Sequence, residues 1–85
     1  MEIKTVIVIR DGYGDLVAIA RDYKSAIDFL INEEFLEENE VVYDGVDWKL
    51  PHEYFGKNWK KKIYALKIEE FNRLFEYNID TEILR

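Results

Sequence analysis

Four apolar residues in succession, Val6 to Ile9, lead into Asp11-Gly12-Tyr13-Gly14-Asp15, and a second apolar run from Leu16 to Ala20 follows at once. Two short apolar runs around a glycine-bearing turn predict a β-hairpin with strands over 3–10 and 16–21. The unbroken apolar character of the first strand predicts that it is covered on both faces or lies centrally in its sheet. Behind the hairpin the period changes. Tyr23, Ala26, Ile27, Leu30 and Ile31 recur at helical spacing, and Asp22 stands where an N-cap would accept from the amides of Lys24 or Ser25. Lys24 and Asp28 then sit one turn apart on the outer face. Phe35 and Leu36 are placed to extend this helix, with the glutamate-rich stretch to Asn39 as its exposed end.

The middle of the chain is less regular. Val41-Val42-Tyr43 before Asp44-Gly45, and Val46, Trp48 and Leu50 on alternate positions, fit two short strands or an irregular loop, and the pattern leaves both open. Pro51 suits the first position of a helical turn that carries His52, Tyr54 and Phe55 and stops at Gly56. Asn58 can cap a second helix with Trp59, Ile63 and Leu66 on one stripe. Residues 69–76 read as helical, with Ile68, Phe71, Leu74 and Phe75 inward; whether Lys67 separates or joins the two helices is left open. From Tyr77 the period is two: Tyr77, Ile79, Thr81 and Ile83 point one way and Asn78, Asp80 and Glu82 the other, a half-exposed strand. A lone hairpin is marginal, so this strand is expected to pair with it. The expected fold is α+β: a small antiparallel sheet, made of the N-terminal hairpin and the C-terminal strand, packed on one face by two or three helices.

Composition bounds the rest. The 85 residues make a single domain over 1–85, and a chain of this size buries roughly 60–65% of its unfolded surface. Large side chains compensate for the short length, since 15% of residues are aromatic and each buries about 150–250 Å² when enclosed. There is no cysteine, which removes disulfides, thiolate chemistry and cysteine-based zinc sites. No apolar stretch approaches the ~18–20 residues of a membrane span, and Met1-Glu2-Ile3-Lys4 leads straight into a strand, so no leader and a cytoplasmic location are expected.

The net charge of −6 is unevenly placed. Seven acids and no base lie between Glu33 and Asp47, whereas Trp48 to Ile68 holds six lysines against Glu53. Such segregation can mark a binding footprint; two solvated faces that attract one another within the fold is the more economical reading.

Candidate chemistry is thin. Ser25 and His52 are the only serine and histidine, and nothing in their spacing brings them together as nucleophile and base. Asp11-Gly12-Tyr13-Gly14-Asp15 lacks the further oxygen positions of a calcium loop and the lysine–serine pair of a phosphate loop. Asp44 and Asp47 near His52 form no metal pattern. No catalytic residue, metal site or cofactor is expected, and the chain reads as a non-enzymatic binder. Tyr54 to Lys62 interleaves aromatics with lysines, as a nucleic-acid platform does, but helical spacing turns Trp59 and Ile63 inward and the acidic balance opposes a polyanion. Direct nucleic-acid binding is therefore not expected. The residues that remain as protein-binding candidates are Glu33, Glu34, Glu37 and Glu38 with Tyr54, Phe55 and Trp59. The partner is an unidentified protein, or a second copy in a homodimer. The alternative is an acidic mimic of nucleic acid that blocks a nucleic-acid-binding protein.

Asp22-Tyr23-Lys24-Ser25-Ala26-Ile27-Asp28-Phe29-Leu30 after a hairpin, then Phe55-Gly56-Lys57-Asn58-Trp59 and Ile68-Glu69-Glu70-Phe71-Asn72 before a closing strand, resemble small uncharacterised proteins of phages and prophages of Gram-positive bacteria. The resemblance covers most of the chain at the level of layout and brings no catalytic motif. It implies a phage-related accessory role, and small phage proteins include acidic inhibitors of host defence such as anti-CRISPR proteins.

Overall fold

The computed structural model describes residues 4–84. Strands β1 (Lys4–Arg10), β2 (Leu16–Ala20) and β5 (Asn78–Leu84) form one antiparallel sheet in the order β2-β1-β5. β1 is thus the central strand, the second of the two placements its apolar run allows. The closing strand pairs with it along its whole length, from Lys4↔Leu84 to Arg10↔Asn78. The fold is α+β, with helices α1 (Tyr23–Asn32), α2 (Pro51–Phe55), α3 (Trp59–Tyr64) and α4 (Ile68–Leu74) and a separate two-stranded sheet of β3 (Val42–Tyr43) and β4 (Trp48–Lys49). Ile3, the expected first residue of strand one, lies outside the described residues.

Local chemistry sets each boundary. The Asp11 carboxylate accepts from the amides of Tyr13 and Asp15 (2.9 and 3.0 Å) and closes the hairpin turn with Gly14 at φ 86°. A bulge between Ile9 and Arg10 adjusts the register, so Ile9 pairs with Ala18 and Arg10 with Leu16. β2 stops at Ala20, one residue short of the sequence expectation, because Asp22 begins the helix: its Oδ1 accepts the Ser25 amide at 2.8 Å. That bond, with Arg21 and Lys24 adding smaller effects, holds the Asp22 carboxyl below its ordinary value.

The extension of α1 through Phe35 and Leu36 does not occur. Glu34 takes φ 63°, a left-handed conformation that ends the helix. The chain folds back, and Leu36 becomes fully buried beside Leu30 rather than continuing the stripe. Two short strands, not an irregular loop, follow, although Val46 and Trp48 are exposed and do not form an inner row with Leu50. Pro51 opens α2 and Gly56, at φ 87°, closes it. Asn58 precedes α3 but its side chain makes no capping bond. Lys67 separates α3 from α4: its backbone is extended (φ −80°, ψ 159°), and the Glu70 carboxylate accepts its amide at 3.1 Å. α4 ends at Leu74, Phe75 returns to extended backbone, and a bend at Glu76 and Tyr77 leads to β5.

The core lies between one sheet face and the helices. Ile7 and Ile9 of β1 and Ile79 of β5 meet Ala26, Ile27 and Leu30 of α1, Ile63 of α3 and Phe71 of α4, with Leu36, Val41, Val42, Phe75 and Tyr77 filling the margins. Phe71 and Phe75 stack at 4.2 Å, and Tyr23 meets Phe71 edge-on at 6.4 Å. The Tyr23 hydroxyl donates to the Ile63 carbonyl at 2.8 Å and ties α1 to α3. Burial, with Glu70 nearby, pushes that phenol far above its ordinary value. Tyr64 makes the second tie, donating to the Asp28 carboxylate that also pairs with Lys24.

Candidate binding surface

Among the described residues no buried side chain is polar or charged, and no group of three His, Asp or Glu residues is placed to hold a metal ion. Ser25 sits in the first turn of α1, where its main chain serves the Asp22 cap, and His52 is exposed on α2; no hydrogen bond joins them. No described helix is long and apolar enough to cross a membrane.

The sequence candidates divide in two. Glu33, Glu34, Glu37 and Glu38 are all exposed, on the irregular segment after α1. None of them, nor Glu40, takes part in the ion pairs found among the described residues: Arg10–Glu82, Arg21–Asp22, Lys24–Asp28 and Lys49–Asp44. Attraction between the acidic and basic segments thus reduces to Lys49–Asp44, at 3.8 Å. Asp44 is chiefly a turn former: its carboxylate accepts the amides of Asp47 and Val46 at 2.7 and 2.8 Å, and these bonds hold it below its ordinary value. Two of the three lysines of α3 turn to their own segment. Lys62 donates to the Phe55 carbonyl at 2.8 Å, and Lys60 lies over the Trp59 ring at 5.4 Å.

The aromatic candidates are not equivalent. Tyr54 is exposed, whereas Phe55 and Trp59 are half-buried against the core, with Phe55 stacked on Phe75 at 6.2 Å. Three aromatics that are not among the binding candidates read from the sequence are more accessible: Tyr13, alone in the hairpin turn at 90% exposure, and the pair Tyr43 and Trp48. Tyr43 and Trp48 face one another across the β3–β4 pair with rings 5.1 Å apart, and they are 42% and 45% exposed. The Val46 side chain stands out from the turn between them, 79% exposed. The available signal was the spacing: two aromatics flanking Asp44-Gly45 become cross-strand partners once that turn is accepted. Tyr54 follows on the same stretch of chain and is also exposed.

No protein-family model matches this chain, and neither a curated protein nor a solved structure does.

Proposed function

We propose that this protein is a non-enzymatic protein-binding module of the phage or prophage accessory kind, acting in the cytoplasm, and that its contact surface centres on the β3–β4 hairpin. The observation that supports the reading is the solvent-facing Tyr43–Trp48 pair. Large aromatics that stay exposed in a small chain cost hydration without adding to the core, and such residues anchor interfaces when a partner encloses them. Val46 adds apolar surface at the hairpin turn, Tyr54 is a further exposed ring on the same stretch of chain, and the exposed Glu33, Glu34, Glu37 and Glu38 favour a partner with a basic surface. Capture from a host lysate by wild type, and its loss in Trp48→Ala and Tyr43→Ala proteins of unchanged melting temperature, tests this.

A second reading, an acidic mimic that occupies a nucleic-acid-binding protein, is favoured by the five exposed glutamates 33, 34, 37, 38 and 40 that no described base neutralises. Carboxylates standing in for phosphates make association steeply salt-dependent and open to competition by DNA or RNA. Changing Glu33, Glu34, Glu37 and Glu38 together to Gln separates the readings: the aromatic-centred interface survives it with moderate weakening, and mimicry does not.

A further inference from the structure

β5 is an edge strand, and its outer edge is closed at one place and open beyond it. In an antiparallel strand each residue turns its N–H and C=O to the same side, and successive residues alternate. Ile79 turns both groups away from β1, because the Asn72 side chain takes them: the Ile79 amide donates to Asn72 Oδ1 at 2.7 Å, and Asn72 Nδ2 donates to the Ile79 carbonyl at 2.8 Å. One side-chain amide on α4 thus supplies the pair of bonds that a neighbouring strand would make. Thr81 and Ile83 share the outward direction, and among the described residues no group bonds to their main chain on that side.

The side chains at this open edge are sorted by face. Thr81 and Ile83 continue the core-side face past the end of the core, where Ile83 is 59% exposed. Asp80 and Glu82 occupy the opposite face, both exposed. Arg10 lies 3.7 Å from Glu82 and only partly offsets the pair. We propose that the outer edge of β5 over Thr81–Ile83 binds an extended peptide by strand addition, and that the peptide alternates basic with apolar side chains. Its basic residues lie beside Asp80 and Glu82 and its apolar residues beside Thr81 and Ile83; main-chain bonds supply the affinity and the alternation supplies the selection. The protein's net charge of −6 favours the approach of such a segment.

A second copy of this chain fits the edge poorly. Two-fold pairing centred on Glu82 sets Glu82 against its own symmetry mate, and pairing centred on Thr81 sets Asp80 against Glu82 and runs into the Ile79 rung that Asn72 already fills. Like charges directly opposite one another weaken a ladder. Pairing centred on Ile83 sets Glu82 against Leu84 without a like-charge clash, but its one hydrogen-bonded rung between described residues is Ile83 with its symmetry mate.

The test is a titration of isotope-labelled protein with a synthetic nine-residue peptide alternating lysine and valine, followed by amide shifts and hydrogen exchange. The expected result is shifts and new protection at the Thr81 and Ile83 amides, with no binding by the glutamate–valine counterpart. Thr81→Pro removes an amide that β1 does not use, so the strand tolerates it, and the lost bond and added bulk weaken binding roughly tenfold. Ile83→Lys, which keeps the main chain intact, lowers affinity as well, and Asp80→Asn with Glu82→Gln abolishes the preference for the basic peptide. Binding that leaves Thr81 and Ile83 unmoved, or that survives both Thr81→Pro and Ile83→Lys, overturns the proposal. So does a free protein that sediments as a dimer with these two amides already protected, because a second copy then holds the edge.

Discussion

Two sets of aromatic side chains in this protein come from the same composition and have opposite surroundings. Phe71, Phe75, Phe55 and Tyr23 stack or meet edge-on where α1, α2 and α4 converge. Tyr43, Trp48 and Tyr54 stand on the solvent side of one stretch, from the β3–β4 pair into α2. In the first set the rings contact one another and the isoleucines and leucines of the core. In the second, Tyr43 and Trp48 contact each other across a two-residue ladder, which is held on its other side by buried Val42 and its bridge to Phe75 and at its turn by the Asp44 carboxylate. The lesson is about division of labour: in a chain with so small an interior, an aromatic left outside contributes little to folding. Its value lies in what it can touch.

The comparison breaks first at Phe71. It is fully buried and contacts rings on two sides, so Phe71→Ala should cost about 3–5 kcal/mol. Against a total stability of roughly 5–10 kcal/mol, urea denaturation should show a strongly lowered midpoint. A midpoint near wild type would mean the ring cluster is not the core.

Next in size is Asn72, whose amide makes two bonds to Ile79. Asn72→Ala leaves both main-chain groups of a core strand without their partner, at a cost of about 1–3 kcal/mol. Exchange of the Ile79 amide should accelerate more than that of its neighbours. Uniform acceleration would place the residue in general packing instead of at the strand edge.

Titration offers a smaller and more selective probe. Donation to Asp28, with some burial, pushes the Tyr64 phenol from 10.0 up to about 12. A raised folded-state value means that the folded protein keeps a proton the unfolded chain gives up. The stabilisation is complete below about pH 10 and is lost as pH rises from there through about 12. Tyr64→Phe should flatten this part of the alkaline denaturation profile, measured beside Tyr23, whose phenol is also raised and contributes its own alkaline loss. An unchanged profile would show that the Asp28 bond does not persist in solution.

How far these features were legible from the sequence differs along the chain. The hairpin, α1 from its Asp22 cap and the Gly56 stop follow from local pattern, because turn chemistry and periodicity agree there; that the last strand joins the hairpin follows from the need for a third strand, while its choice of β1 over β2 is visible only in the structure. The extension of α1 was misread for a physical reason. Phe35 and Leu36 are apolar at helical spacing, yet Leu36 reaches the core by a reversal at Glu34, and a glutamate in left-handed backbone carries no sequence signature. The Asn72 clamp was also invisible, since a bond between residues on two elements depends on how α4 lies along β5. Of the candidate surface, the exposed glutamates and Tyr54 were readable. Phe55 and Trp59 lean on the core, and the Tyr43–Trp48 pair required the β3–β4 register.

Glu34 supplies the smallest expected effect, and the only stabilising one. Glycine takes a φ of 63° without the steric cost that a side chain meets. Relief of the left-handed backbone, about 1–2 kcal/mol, outweighs the roughly 0.5–1 kcal/mol of chain entropy that glycine adds to the unfolded state, so Glu34→Gly should raise Tm slightly while removing one carboxylate from the acidic segment. A lower Tm would show that the Glu34 side chain stabilises the helix end in a way that its backbone geometry hides.

On the proposed reading the exposed rings serve contact and the buried rings serve folding. Calorimetric titration of Trp48→Ala against the partner that wild type captures tests it most directly. Loss of the cross-strand pair alone is worth only about 0.2–1 kcal/mol of stability, so the variant folds. The prediction is a binding loss of about 2 kcal/mol or more, roughly thirtyfold, with little change in salt dependence. Affinity equal to wild type in the folded variant would contradict the claim and return the acidic segment to first place as the binding surface.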